Sequence, residues 1–343
     1  MSSPAKDKVD TKIGCGSALG DMRPEEWRQY VQLMVEALPT PIQNRVVVLK
    51  NMQLENIKLE KEFFDEVYDL EHRYHKKYEE LFAKRRDIVE GKMEPPGEQK
   101  PNFKDVKPLA GHAGVEFRRK LKDYKCELTD AKGIPDFWLT VFRNTLINEM
   151  IQPQDEPALR HLIDVSVAFD VGHAFTLEFH FGPNEFFTNS ILRKKYFLRS
   201  SIDQNDPFAF KGPEVKFCQG CTIYWEDTMD LTVMTYNAKE KDKFGVKRTV
   251  VKKDWIDSFF NFFNPPDLSD YENNDEQSAE AERILQADYK IGHFLRVRVI
   301  PKAVLYFTGD IVDYVEGATP EEPPKDVDQP GDKVSVGNQC DSE

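Results

Sequence analysis

The sequence predicts an α+β fold, one long helix followed by a compact segment of shorter helices and strands. Three observations carry that reading. Between Leu38-Pro39-Thr40-Pro41 and Gly91 the chain contains neither Pro nor Gly, the two residues least compatible with a helix interior. Within that stretch Phe63, Val67, Leu70, Tyr74, Tyr78 and Leu81 recur in steps of three or four, which lines one helix face. Further on, Phe175, Leu177, Phe179 and Phe181 alternate with smaller or polar residues, the period of a half-buried strand.

Ile42 to Glu90 therefore reads as one helix, the absence of any breaker favouring it over two helices with a short joint. It would be roughly 70 Å long at about 1.5 Å per residue, and ordinary globular helices have only about 11–12 residues. A stripe of that length needs a partner, most simply the same helix of a second copy. Its candidate contact residues are Leu49, Met52, Ile57, Phe63, Val67, Leu70, Tyr74, Tyr78 and Leu81.

The remaining elements follow in chain order. Residues 1–23 are polar and read as disordered,. Their run Gly14-Cys15-Gly16-Ser17-Ala18-Leu19-Gly20 lacks the preceding strand and the spacing of a phosphate loop. Pro24 to Leu38 is a short amphipathic helix, and the long helix completes the segment 24–90. Residues 91–133 form an accessory excursion opened by Pro95-Pro96-Gly97, with Arg118, Arg119, Lys120, Lys122 and Lys125 clustered in it. A compact domain spans 134–314. Ile134 to Phe142 opens a largely apolar helix, and Asp155 to Leu162 starts another. Strands follow at Asp164–Asp170 and Ala174–Phe181. Asn189 to Phe197 fits strand or helix, strand the better. Leu231–Tyr236 and Lys247–Lys253 form a long hairpin within 231–253. Asp254 to Phe263 reads as a Phe-rich helix stopped by Asn264-Pro265-Pro266. Residues 267–282 read as an acidic insertion and 315–343 as a disordered acidic tail.

Composition narrows the function. The 343 residues suffice for one large or two ordinary domains, and 40% apolar residues support a core,. No run of about 18 apolar residues is present to cross a membrane as a helix, and the first residues lack the apolar core of a secretory signal. Five unevenly spaced cysteines suggest no disulfide framework,, which fits a reducing nuclear or cytosolic compartment. The net charge is −13, and its location is informative. Asp267–Glu282 holds seven acids and no Lys or Arg, and Asp310–Glu343 holds ten acids against Lys325 and Lys333. The rest of the chain is close to neutral, so the acidity lies in an insertion and a tail, features that repel nucleic acid and attract basic partners or simply aid solubility.

Motifs for catalysis or metal binding are weak. Cys218-Gln219-Gly220-Cys221 has no second ligand pair for zinc, and structural cysteines are the plainer reading. His72 and His75 stand three apart with no further ligands. Lys84-Arg85-Arg86 reads as a solvated charged face. Lys239, Lys241, Lys243, Lys247, Arg248, Lys252 and Lys253 make the hairpin basic. Those lysines fit an import receptor or DNA contact and fit edge-strand protection equally well.

Several phrases occur together in a specific order. They are Phe63-Phe64-Asp-Glu-Val-Tyr-Asp-Leu70, Gly133-Ile134-Pro135-Asp136-Phe137-Trp138, Ala174–Phe181, Phe186-Phe187-Thr188-Asn189, Cys221-Thr222-Ile223-Tyr224-Trp225, Ser258–Pro266, Asp288–Gly292, Ile300–Val304 and Phe307-Thr308-Gly309. The set, from about Glu26 to Gly309, resembles the nucleosome assembly protein (NAP) family. The resemblance implies a homodimer on paired long helices, each carrying a domain with an antiparallel sheet flanked by helices, in a headphone-like shape. It implies a histone chaperone without cofactor, metal or turnover, whose chief partner is the histone 2A/2B dimer, with histones 3 and 4 and linker histone as further candidates. It also implies an import receptor bound at Lys239–Lys253, export signalling within the long helix, and shuttling between nucleus and cytoplasm. Stable direct DNA binding is not expected. The tail departs from the family in being diluted by Pro, Gly, Val and Lys, and Cys340 lacks the aliphatic pair that prenylation requires,. A coiled-coil scaffold without histone handling is the alternative.

If histones are the partners, carboxylates should compete with DNA for their basic residues. Charge and neighbourhood nominate Asp155, Glu156, Asp164, Glu178, Glu185, Glu226, Asp227, Asp230, Asp254 and Asp257 on the domain, with Asp267, Asp270, Glu272, Asp275 and Glu276 as a flexible acidic arm.

Overall fold

In a computed structural model the described residues are 23–103, 119, 121, 128, 130–241, 247–266 and 275–313. Helix α1 (Pro24–Glu36) starts with Pro in its first turn and Glu25 and Glu26 beside it, where acids suit the helix dipole. Helix α2 (Thr40–Val89) is one unbroken helix of 50 residues, as the missing breakers predict. Most of the accessory excursion lies outside the described residues, as do the N-terminal segment before Arg23 and the tail from Tyr314.

Two compact units can be separated. The first comprises the chain up to Lys76 together with Leu198–Glu214. In it the 198–214 segment packs on α2. Ser200 Oγ donates to Asp65 Oδ1 at 2.6 Å, and Phe64 meets Phe210 edge-on at 6.4 Å. Gly212 has φ +106, and a Cβ there would lie 2.8 Å from the Phe64 ring, so this close approach needs glycine.

The second unit comprises Lys77–Phe197 with Val215 onward. Its frame is a four-stranded sheet in the order β1 (Leu162–Asp170), β2 (Ala174–Phe181), β3 (Ile191–Arg199) and β4 (Glu214–Gln219), with β1–β2 and β2–β3 antiparallel. β1 and β2 are joined through a turn at Val171–His173, with Phe169 opposite Phe175 and Val165 opposite Phe179. Strand β2 is the best-buried strand, for Phe175, Leu177 and Phe179 are 0% exposed. Helix α3 (Phe137–Arg143) is also apolar nearly all round. Its Trp138 and Phe142 pack with Phe179 and the 3-10 segment Phe259–Phe263 in one aromatic core. Aromatic burial of this density dominates the energetics of a core.

Two sequence-derived helices are shorter than expected. Helix α4 is only Glu156–Leu159, because Leu162 already begins β1. Asp254–Phe263 is no continuous helix. Strand β6 (Lys247–Trp255) runs through Trp255, paired with β5 (Val233–Lys241) in a separate two-stranded sheet, and only Phe259–Phe263 turns, as a 3-10 helix. The hydroxyl of Ser258 accepts from Phe260 N and thereby caps that turn,. The insertion is corrected as well. Residues 267–274 lie outside the described residues, but from Asp275 the chain is helix α5 (Asp275–Phe294), anchored by buried Ala281 and Leu285. A π-helical turn (Leu295–Val299) leads to helix α6 (Ala303–Phe307), which packs on α3 through stacked Phe137 and Phe307 rings 4.8 Å apart.

Candidate functional site

Two surfaces stand out, and the first is the apolar stripe of α2. Leu49, Met52 and Phe63 are each about three-fifths exposed, as is Leu81, and Leu70, Tyr74 and Tyr78 are between 42% and 46% exposed. Val67 is half-buried and Ile57 is buried at 4%, so Ile57 supports the helix from inside its own chain and is removed from the contact set. A row of large apolar side chains this long on one face marks an interaction surface.

The second surface is the flank of the β5–β6 hairpin. Backbone bonds bring its parts together. Glu226 N donates to Phe186 O at 2.8 Å, beside Glu185, and Ile256 N donates to Thr232 O at 3.0 Å, which sets Asp257 near Asp230. Glu185, Glu226, Asp227, Asp254 and Asp257 are all exposed. Asp230 is half-buried, its Oδ1 accepting from Thr232 N at 3.0 Å and Thr232 Oγ1 at 2.6 Å. Exposed apolar side chains sit among these acids, namely Tyr224, Met229, Met234 and Trp255. Acids and apolar side chains together can hold a basic partner by charge and by contact.

The other nominated acids are not all available. Asp155 is 0% exposed. It accepts from Gln152 N, Ser258 Oγ and Phe259 N at 2.9, 2.6 and 2.7 Å. Burial raises its pKa, and those three bonds oppose the rise. It ties the turn before α4 to the start of the Phe259–Phe263 segment and cannot reach a partner. Asp164, 3% exposed, faces Arg85 Nη2 at 3.7 Å. Burial pushes its carboxyl up to about 6, against the attraction of Arg85 and Arg86. Both are withdrawn as contact residues. Glu156 is half-buried and paired with Arg143 at 2.5 Å, and Glu178 is half-buried and paired with Arg193 at 2.8 Å. Asp267, Asp270 and Glu272 lie outside the described residues. Asp275 and Glu276 belong to the first turn of α5, which corrects their reading as a flexible arm.

Arg85 also departs from expectation. It is nearly buried, donating through Nη1 to Ile300 O, and its guanidinium lies 4.7 Å from the Phe82 ring centre and 5.2 Å from that of Trp138. Within the second unit it fastens the last turns of α2 to β1 and to Ile300, and it is no part of a solvated basic face. In the hairpin, Lys252 and Lys253 are exposed opposite Tyr236 and Thr235. The backbone places Lys239, Lys241, Lys247 and Arg248 toward the tip, and Lys243 lies outside the described residues.

Among the described residues, Cys218 and Cys221 form no reactive centre. Burial raises the Cys218 thiol to about 11 and raises Cys221 as well, so neither forms the thiolate that nucleophilic or redox work needs. Among the described residues no group of three or more His, Cys, Asp or Glu side chains gathers as metal ligands.

Sequence reasoning missed the exposed aromatics. The sequence pattern puts Trp255 in a helix, whereas the structure makes it the last residue of β6. Its position just after the strand-like run Lys247-Arg-Thr-Val-Val-Lys-Lys253 is the available sign that it ends a strand.

An uncovered helix stripe and an acidic, aromatic hairpin flank define a class, a protein that works by binding other macromolecules. Residues 44–310 match the model of the nucleosome assembly protein (NAP) family. The chain is 45% identical over 286 residues to nucleosome assembly protein 1-like 1-A of Xenopus laevis, covering 81% of this chain and 72% of that one. It is 44% identical over 287 residues to the human nucleosome assembly protein 1-like 1, with the same coverage. Among solved structures, nucleosome assembly protein 1 from Plasmodium knowlesi is similar with a TM-score of 0.49 and 26% identity, over 80% of this chain and 99% of that one. The chain belongs to the nucleosome assembly protein family, a family of histone chaperones.

Proposed function

We propose that the protein works as a homodimer that binds core histones, the histone 2A/2B dimer before histones 3 and 4, shields them from nonspecific DNA contact and hands them to forming nucleosomes. The observation that carries this reading is the family match over residues 44–310. Exposed Glu185, Glu226, Asp227, Asp254 and Asp257 supply carboxylates to compete with phosphates for histone Lys and Arg,. No bond is made or broken in that exchange, so the protein acts as a binding partner and not as an enzyme, and it needs no cofactor. We also propose that the basic hairpin serves an import receptor and that the protein shuttles between cytoplasm and nucleus.

The test is titration of the histone 2A/2B dimer into the full chain and into a variant carrying Glu226→Gln, Asp227→Asn, Asp254→Asn and Asp257→Asn together. Affinity should fall by about tenfold or more near physiological salt, with a shallower salt dependence. Affinity within about twofold of the parent would remove these acids from the interface. A scaffold that only dimerises remains the second reading, since the exposed stripe of α2 serves it equally well. Failure of the parent chain to retain histones at low salt would favour that reading.

A further inference from the structure

Two open clefts meet at Trp225 and Asp230 on the hairpin flank. One is walled by Trp225, Trp255, Phe260, Phe263, Pro265 and Pro266 and encloses about 770 Å³, within the roughly 300–1,000 Å³ typical of binding clefts. The other is lined by Glu226, Asp227, Asp230, Met234 and Ile256, with Lys253 as the one cation among its described lining residues. A cleft of mixed polar and aromatic lining thus runs into one whose three carboxylates outnumber its single lysine.

The wall between them is rigid. Trp225 packs edge-on against Phe187 at 5.5 Å and Phe260 at 5.3 Å, and both of those rings are buried. The Asp230 carboxylate is held by its two bonds from Thr232 through Oδ1, and among the described residues Oδ2 makes no hydrogen bond. A carboxylate fixed in advance binds at lower entropic cost than a mobile one. Trp255 is 74% exposed, a large aromatic surface that its own unit leaves uncovered.

We propose that this groove receives an extended, arginine-bearing segment of a basic protein. The guanidinium lies flat on the Trp255 indole and donates to Asp230 Oδ2, a neighbouring apolar side chain enters the Phe263–Pro266 trough, and further cations face Glu226 and Asp227. Arginine fits better than lysine because its planar cation both stacks on an aromatic face and forms directional bonds to a carboxylate. Identifying that basic protein as a histone rests on the function proposed above; the arginine preference does not.

Two probes separate the claims. A fluorescein-labelled dodecapeptide of alternating Arg and Val, and its Lys counterpart, are titrated by anisotropy into the full chain and into Trp255→Ala and Asp230→Asn variants. The arginine peptide should bind the parent about fivefold more tightly than the lysine peptide, and the preference should vanish in both variants. Equal binding of the two peptides, or a preference that survives Trp255→Ala, overturns the proposal. Unchanged thermal melting confirms that each variant is folded, as the exposure of Trp255 leads one to expect. The histone 2A/2B dimer is then titrated into the same proteins. Tight histone binding by the parent with no loss in either variant also overturns the groove. Arginine-selective peptide binding without any histone binding keeps the groove and overturns the histone reading.

Discussion

Asp164 and Arg85 are buried 3.7 Å apart, and burial shifts both toward their neutral forms more strongly than their attraction opposes it. The unfolded carboxyl titrates near its ordinary ~3.9, the folded one at about 6. Between those values the folded state holds the extra proton, so this group favours folding most below the lower value, and the advantage is lost as pH rises through about 6,. A gap of that size corresponds to up to about 3 kcal/mol. Urea unfolding of the parent and of Asp164→Asn between about pH 4.5 and 7.5 should show a stability difference that shifts against the parent as pH rises; a difference independent of pH would contradict this assignment. A second residue test concerns Lys194, which is 0% exposed and donates to Phe262 O at 2.6 Å and to Asp288 Oδ2 at 2.7 Å. Asp288→Ala strands that cation and should cost about 3–5 kcal/mol in the same assay, whereas a loss below about 1 kcal/mol would mean the pair is solvated. Neither arrangement could be read from sequence. An Asp within a strand looks the same in sequence whether it faces water or an Arg that lies 79 positions earlier in the chain, and Asp155 likewise meets Ser258 only through tertiary folding.

At the scale of elements, periodicity was the legible signal. α2 and β2 appear where their apolar spacing places them, and the hairpin appears with longer strands than Leu231–Tyr236 and Lys247–Lys253, running over Val233–Lys241 and Lys247–Trp255. The segment Asp254–Phe263 was misjudged because a dense run of Phe satisfies helix and buried-turn patterns alike, and the choice is made by Asp155 and Ser258 holding the start of the turn. Contact between α5 and β3 gives a further test. A Cβ on Gly292 would sit 2.4 Å from the Tyr196 ring, and Tyr196 is itself held by its hydroxyl donating to Asp288 Oδ1 at 2.6 Å. Gly292→Ala gains about 1 kcal/mol of helix propensity but overpacks a core ring, at a cost of about 1–3 kcal/mol. Its melting temperature should fall, and a rise would show that the ring can move aside. In α2, Val67→Pro removes a helix hydrogen bond and should cost about 3 kcal/mol or more locally. We expect the variant to sediment as a monomer while far-ultraviolet dichroism keeps the sheet signal, and a persisting dimer would place the interface elsewhere on the chain.

For the whole molecule, charge and apolar surface divide the labour. The α2 stretch Ile42–Glu90 is almost balanced in charge, so its exposed stripe suits self-association better than histone capture. The acids that remain accessible lie on the sheet unit, around the hairpin flank and its aromatic groove. The fold class was legible from the sequence because it follows from pattern. The site was only half legible, since charge identifies carboxylates but burial decides which of them face water. Homodimerisation and salt-sensitive histone capture are tested most directly by sedimentation velocity of the full chain, alone and with the histone 2A/2B dimer, at low and high salt. The chain should sediment as a homodimer by itself and form a histone complex that dissociates as salt rises. A monomer by itself, or a dimer that never shifts with histones at low salt, would contradict that expectation.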